Sequence, residues 1–225
     1  AAEDMAPIVR EPSMPPLGQV AERVSMSTVP NWDVFAEWEK ALLVDAYRDS
    51  PEVKRIANQI LVTSQTNEER VRRIHEYVIQ NIRYQQDYEV TIAGVKPHAA
   101  AQVLARQYGD CKDKAVLFIA LAKEAGIDVH FASVRTRDRG PIMRDVPSQQ
   151  FNHAIVYVPK QSGIAAGRFY DPTVDTLDLE VLRSDDQGTL AYVYDANKKF
   201  HYWKTIPFQS PEVDHMDSEV TLTLQ

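Results

Sequence analysis

Cys111 is the only cysteine among 225 residues. It stands in Gly109-Asp110-Cys111-Lys112-Asp113-Lys114, ahead of a run, Ala115 to Glu124, that reads as a buried helix. A thiol at a helix start sits among backbone N–H groups that lack intrahelical partners, and this favours the thiolate, the nucleophilic form of the side chain. A cysteine nucleophile also needs a base and a group that orients the base. His153 opens the strand-like His153-Ala-Ile-Val-Tyr-Val158, and Asp171 follows Arg168-Phe-Tyr170 and precedes Pro172. Ends of neighbouring antiparallel strands can bring two such side chains together. The residues alone leave other readings open: Cys111 as a small core thiol and Asp171 as a turn-former. A metal held by Cys111, His153 and Asp171 is chemically possible, but no close-spaced ligand pair supports one, and no metal is expected.

Three amphipathic helices are expected ahead of the cysteine. Asn31 or Asp33 caps a helix carrying Val34, Phe35, Trp38 and Leu42 at helical spacing. Ser50-Pro51 opens a second, with Val53, Ile56 and Ile60. Thr66 and Glu69 are spaced as a capping box for a third, with Val71, Ile74, Val78 and Ile82. Trp32 and Trp38 are expected as core or helix-packing residues and not as a ligand box. A short helix over 98–107 precedes the cysteine, and the helix after it, Asp113–Ala125, is closed by Gly126.

Beyond Gly126 the period changes to that of strands: Asp128 to Thr136, His153 to Val158, and Arg168 to Asp171. Ala191–Tyr194 and Phe200–Lys204 read as a pair, after a turn at Asp185-Asp186-Gln187-Gly188. Helices followed by adjacent strands with short links predict an α+β domain, with an antiparallel sheet packed on the central helix. Residues 1–30 read as an extended, proline-rich linker with a strand-like piece at Val24–Thr28; residues 31–205 form the domain. Residues 206–225 lead away from it through an alternating strand at Val220–Leu224.

A net charge of −7 argues against general nucleic-acid binding and against docking on anionic lipid. No stretch approaches the roughly 20 apolar residues of a membrane span, so no membrane insertion is expected in this segment. Ala1 to Arg10 carry acids and a proline in place of a leader's apolar core, and the first residue is not methionine, so the chain is read as a processed or excised piece.

Gly109-Asp-Cys-Lys-Asp113 before an apolar helix resembles the nucleophile segment of the transglutaminase-like superfamily. Phe151-Asn-His-Ala-Ile-Val156 resembles that family's histidine strand, and Tyr170-Asp-Pro-Thr173 its aspartate strand. Tyr108-Gly109 and Ala125-Gly-Ile127 also fit, and the matches cover roughly residues 66–175 in the right order. The resemblance implies a papain-like fold with Cys111 as nucleophile, His153 as base and acid, and Asp171 as orienting carboxylate. It implies acyl transfer from a glutamine-type or peptide amide through a thioester, to an amine or to water. The Cys111 backbone N–H would be one oxyanion donor, and Gln102 or Tyr84 a second. No cofactor is implied, and the calcium dependence of some relatives has no recognisable loop here. Lys112 and Asp113 are expected as surface charges in the first helical turn.

The flanks resemble larger bacterial proteins in which this domain lies between two β-rich domains. Pro15-Pro16 and Ser27-Thr-Val-Pro-Asn-Trp32 match the approach, and Thr205-Ile-Pro207 with Val220–Leu224 the exit. That likeness implies a cell-envelope or periplasmic location and a polypeptide or cell-envelope substrate. The alternative is a catalytically silent fold that binds protein or cell wall.

Overall fold

The computed structural model describes residues 8–86, 94–175, 178–213 and 217–222. The helices are α1 (Leu17–Val20), α2 (Trp32–Leu43), α3 (Pro51–Leu61), α4 (Asn67–Asn81), α5 (Ala100–Arg106) and α6 (Cys111–Glu124). Strands β1 (Arg83–Tyr84) and β2 (Tyr108–Gly109) form a small parallel pair. The main sheet contains β3 (His130–Val134), β4 (His153–Val158), β5 (Arg168–Tyr170), β6 (Leu190–Asp195) and β7 (Phe200–Thr205). Its order is β5-β4-β3-β6-β7, and each neighbouring pair is antiparallel. This is the expected α+β arrangement of helices on an antiparallel sheet.

Helix α6 is the centre of the packing. Eleven consecutive residues, Lys112 to Ala122, are buried. It packs against α3, α4, α5 and β4. Burying side chains such as Leu117 and Phe118, both fully enclosed, stabilises the fold by about 1.5–3 kcal/mol each. The side chains of the sheet alternate between two apolar clusters, as the two-residue period of a strand requires. Phe131, Ala154 and Val156 join the helices, whereas Ala132, Ile155 and Val193 join Leu182 and Ile206 in a second cluster. Ile206 is fully buried, and its N–H donates to the Thr189 carbonyl, so packing against the sheet continues past β7.

Local signals account for most helix ends. Thr66 Oγ1 accepts the Glu69 N–H at 3.1 Å, and the Glu69 carboxylate accepts the Thr66 N–H at 3.3 Å, completing the predicted box. Asn31 caps α2 through the Val34 N–H. Gly126 has φ +71°, a left-handed turn that glycine adopts without strain, and it follows α6.

Several expectations need correction. Ser50 makes no side-chain cap bond, and the start of α3 rests on Pro51, whose ring presets the helical φ. The N-terminal arm contains a helical turn, α1, after Pro15-Pro16. Val24–Thr28 forms no strand, because it finds no sheet edge to pair with. Ser27 Oγ donates instead to the Pro147 carbonyl, and Trp32 Nε1 to the Arg144 carbonyl at 2.7 Å. Residues 220–222 are not strand, and residues 223–225 of that expected strand lie outside the described residues.

Candidate active site

Cys111 is placed by a helix start that is built twice over. Asp110 is the N-cap of α6, and its carboxylate accepts the Asp113 N–H while the Asp113 carboxylate accepts the Asp110 N–H at 3.3 Å. This reciprocal box fixes Cys111 as the first residue of the helix. Lys112 and Asp113, expected on the surface, are in fact buried. A buried charge persists only when paired. Lys112 Nζ pairs with the Asp110 carboxylate, and Asp113 accepts the His98 N–H at 2.8 Å and the His98 Nδ1 at 3.1 Å. The charges near the cysteine therefore brace the loop.

Gly109 is required at this point. A Cβ there would lie 2.6 Å from Asp113 Cβ, too close for the box to survive unchanged. Gly109→Ala is expected to destabilise the fold by about 1–3 kcal/mol, the usual range for overpacking. Because the clash falls on the cap, Cys111 labelling by iodoacetamide should slow even at temperatures where the variant stays folded; circular dichroism and labelling rates check the two effects separately.

His153 opens β4 and Asp171 follows β5; these strands pair antiparallel with Val156 opposite Tyr170, which brings the start of β4 and the end of β5 to one edge of the sheet. His153 Nε2 lies 2.9 Å from Asp171 Oδ2, and Cys111 lies beside the same imidazole, close enough to raise its pKa. The other Asp171 oxygen accepts the Thr173 N–H at 2.9 Å and the Thr173 hydroxyl at 2.6 Å. Burial opposes charge on His153, but Asp171 and Cys111 outweigh it and hold the imidazole's pKa well above its ordinary value. For Asp171, burial pushes upward, yet His153 and Thr173 keep the carboxyl below the usual carboxylate range. This pattern is that of an imidazolium held between a carboxylate and a sulfur.

Other side chains support the constellation. His75 Nε2 donates to the Asp171 backbone carbonyl at 3.1 Å from inside the core, and burial lowers its pKa. Lys114 Nζ donates to the Ile82 carbonyl at 2.9 Å, tying α6 to the end of α4; burial foremost brings its pKa down to about 8. A narrow cavity opens at Cys111, lined by Trp38, Leu42, Lys112, Phe151 and His153. Trp38 is 40% exposed, so it forms part of a cleft wall, while Trp32 packs among Phe35, Tyr192 and Trp203.

Neither Tyr84 nor Gln102, the two expected oxyanion donors, is among the residues lining the cavity at Cys111. Tyr84, on β1, lies near the cysteine; burial foremost, then Cys111 and Asp110, raise the pKa of the phenol. Gln102 Oε1 accepts the Ala99 N–H at 3.3 Å, closing the start of α5. Its side chain is used locally because the helix's first N–H groups need acceptors.

Among the described residues, two three-residue groups of acids and histidine lie close enough to surround an ion: Asp128, His130, Asp195 and His153, Asp171, Asp186. In the first, Asn197, Lys198 and Tyr202 already engage the three side chains. In the second, the 2.9 Å His153–Asp171 contact is a hydrogen bond, which suits proton chemistry.

The model of the transglutaminase-like superfamily matches residues 54–210. The chain belongs to the transglutaminase-like superfamily. A crystal structure of a "putative protease" from Parabacteroides distasonis superposes with TM-score 0.55 at 18% identity, covering 76% of this chain and 31% of that one. A structure of a "putative cysteine protease" from Cytophaga hutchinsonii gives TM-score 0.43 at 16% identity, covering 59% of this chain and 41% of that one. This transglutaminase-like chain thus spans under half the length of either protein. A comparison with curated proteins finds no match. The first superposition agrees with the superfamily in its fold, one that carries a cysteine-type catalytic site.

Proposed function

We propose that this chain is a cysteine-dependent acyltransferase or amide hydrolase acting on a peptide or glutamine-type amide. The reading rests above all on Cys111 and His153 lining one cleft, with His153 Nε2 hydrogen-bonded to the buried Asp171 behind it. The Cys111 sulfur attacks the amide carbon, forming a C–S bond. As the tetrahedral intermediate collapses, the C–N bond breaks and His153 gives its proton to the departing nitrogen. The thioester is then opened by water or an amine, with His153 taking the proton of the attacking group. Asp171 holds the imidazole by its Nε2 and balances its charge. The Cys111 N–H, at a helix start, and the Tyr84 hydroxyl serve as oxyanion donors. Tyr84 suits that role because its surroundings keep the phenol protonated.

The substrate is a polypeptide or cell-envelope component, as the flanking-sequence resemblance implies, and the setting is the bacterial envelope. Incubation with a glutamine peptide and a dansyl-type amine, followed by mass spectrometry, separates the outcomes: amine adduct for transfer, deamidated peptide for hydrolysis of the side chain, cleaved backbone for proteolysis. Any of these, lost in Cys111→Ala, supports the proposal. No product from a broad peptide library contradicts it and leaves a binding module.

A further inference from the structure

Asp186 lies in the turn between Arg183 and Gly188, a segment whose sequence reads only as a turn. Its side chain is fully buried, and neither carboxyl oxygen has a hydrogen-bond partner among the described residues. Its backbone is engaged, since the Asp186 N–H donates to the Arg183 carbonyl and its own carbonyl accepts the Thr189 hydroxyl. The carboxyl reaches toward the catalytic pair: Oδ2 lies 3.9 Å from His153 Nε2, and Asp171 and Asp186 oxygens lie within 4.8 Å of each other. An unpartnered buried carboxylate is costly, and a second one beside Asp171 is costlier still, so a proton is the simplest resolution.

We propose that Asp186 is a positioning residue of the catalytic pair, a buried carboxyl that carries a proton beside His153 and Asp171 and, on releasing it, adds a second negative charge next to the imidazole. The inference rests on the acyl-transfer reading for its consequence, though not for the carboxyl's state. His153 faces Asp186 from β4, Asp171 from the turn after β5, and Arg183 and Asp185 from its own segment. Burial foremost raises the carboxyl's pKa to about 7; Asp171 and Asp185 push the same way, while His153 and Arg183 oppose them. Release of this proton near neutrality strengthens the hold on the imidazolium and with it the thiolate–imidazolium pair. The site becomes more competent as the pH rises through that range.

Asp186→Asn keeps the shape and removes the titration. The wild type is expected to show an added step in the pH profile of Cys111 alkylation near pH 7, and Asp186→Asn is expected to lack it. In turnover, the alkaline fall where His153 loses the proton it gives to the leaving nitrogen should also shift by about one pH unit to lower pH in the variant. Stability supplies a readout independent of activity. The folded state holds a proton on Asp186 that the unfolded state has lost above about pH 4, so stability falls as pH rises from about 4 to about 7 and levels beyond. The wild type minus variant difference in denaturation midpoint should follow that slope. Should Asp186→Asn fail to fold, carbon NMR of aspartate-labelled wild type must show a carboxyl titrating near pH 7. Coincident alkylation profiles, parallel stability curves, or no aspartate carboxyl titrating above pH 5 overturn the proposal. A slow Cys111 at every pH would instead count against the acyl-transfer reading, leaving the carboxyl titration to judge Asp186.

Discussion

Replacing His153 with alanine slows Cys111 alkylation at pH 7 several-fold and lowers turnover by about 10²–10⁴-fold. The first effect follows from the thiol's need for a cationic neighbour, since the thiolate is the form that attacks. In the wild type the sulfur lies beside an imidazole whose pKa is raised by Asp171 and by that sulfur despite burial. The second is the usual contribution of a positioned acid–base group. Because Cys111 is the only cysteine, any label reports on it alone. An unchanged alkylation rate in His153→Ala would break the link between base and nucleophile.

Asp171→Asn is expected to be nearly as damaging, by a different route. Asp171 is buried and accepts from His153 and twice from Thr173. An asparagine retains one acceptor oxygen, so the imidazole loses the charge that balances it or Thr173 loses its partner. Removing one side of a buried hydrogen-bonded ion pair costs about 3–5 kcal/mol. The sign with pH is specific. The Asp171 carboxyl lies below its unfolded value, so its contribution is present above about pH 4 and lost as the pH falls through the folded value. The His153 imidazolium lies above its unfolded value, so its contribution is full below about pH 6.5 and lost as the pH rises through the folded value. Thermal melts should show Asp171→Asn losing most against wild type between those limits, with turnover down about 10²–10⁴-fold at pH 7.

The helices and central strands were legible because their signals are local: the Thr66–Glu69 box, the apolar run of α6, and the short Val- and Ile-rich run of β4. Cys111, His153 and Asp171 stand out in the sequence as candidates, and the antiparallel pairing of β4 with β5 brings the last two within 2.9 Å. What escaped is long-range. Lys112 and Asp113 look like helix-surface charges until Asp110 and His98 are seen to enclose them. His75 looks like one more residue on the apolar stripe of α4, and only the fold brings its ring to the Asp171 carbonyl. Asp186 sits in an Asp-Asp-Gln-Gly stretch whose composition announces a turn and says nothing of burial. The pair β1–β2 is two residues long on each side, too short for any periodicity.

The most direct measurement of the central claim is the rate at which iodoacetamide labels Cys111 at pH 7 in the folded protein and in the same protein unfolded by urea. Activation of Cys111 by His153 predicts labelling of the folded chain at least several-fold faster than of the unfolded one, although the side chain is half-buried in the fold. Labelling no faster than the unfolded cysteine would contradict the account.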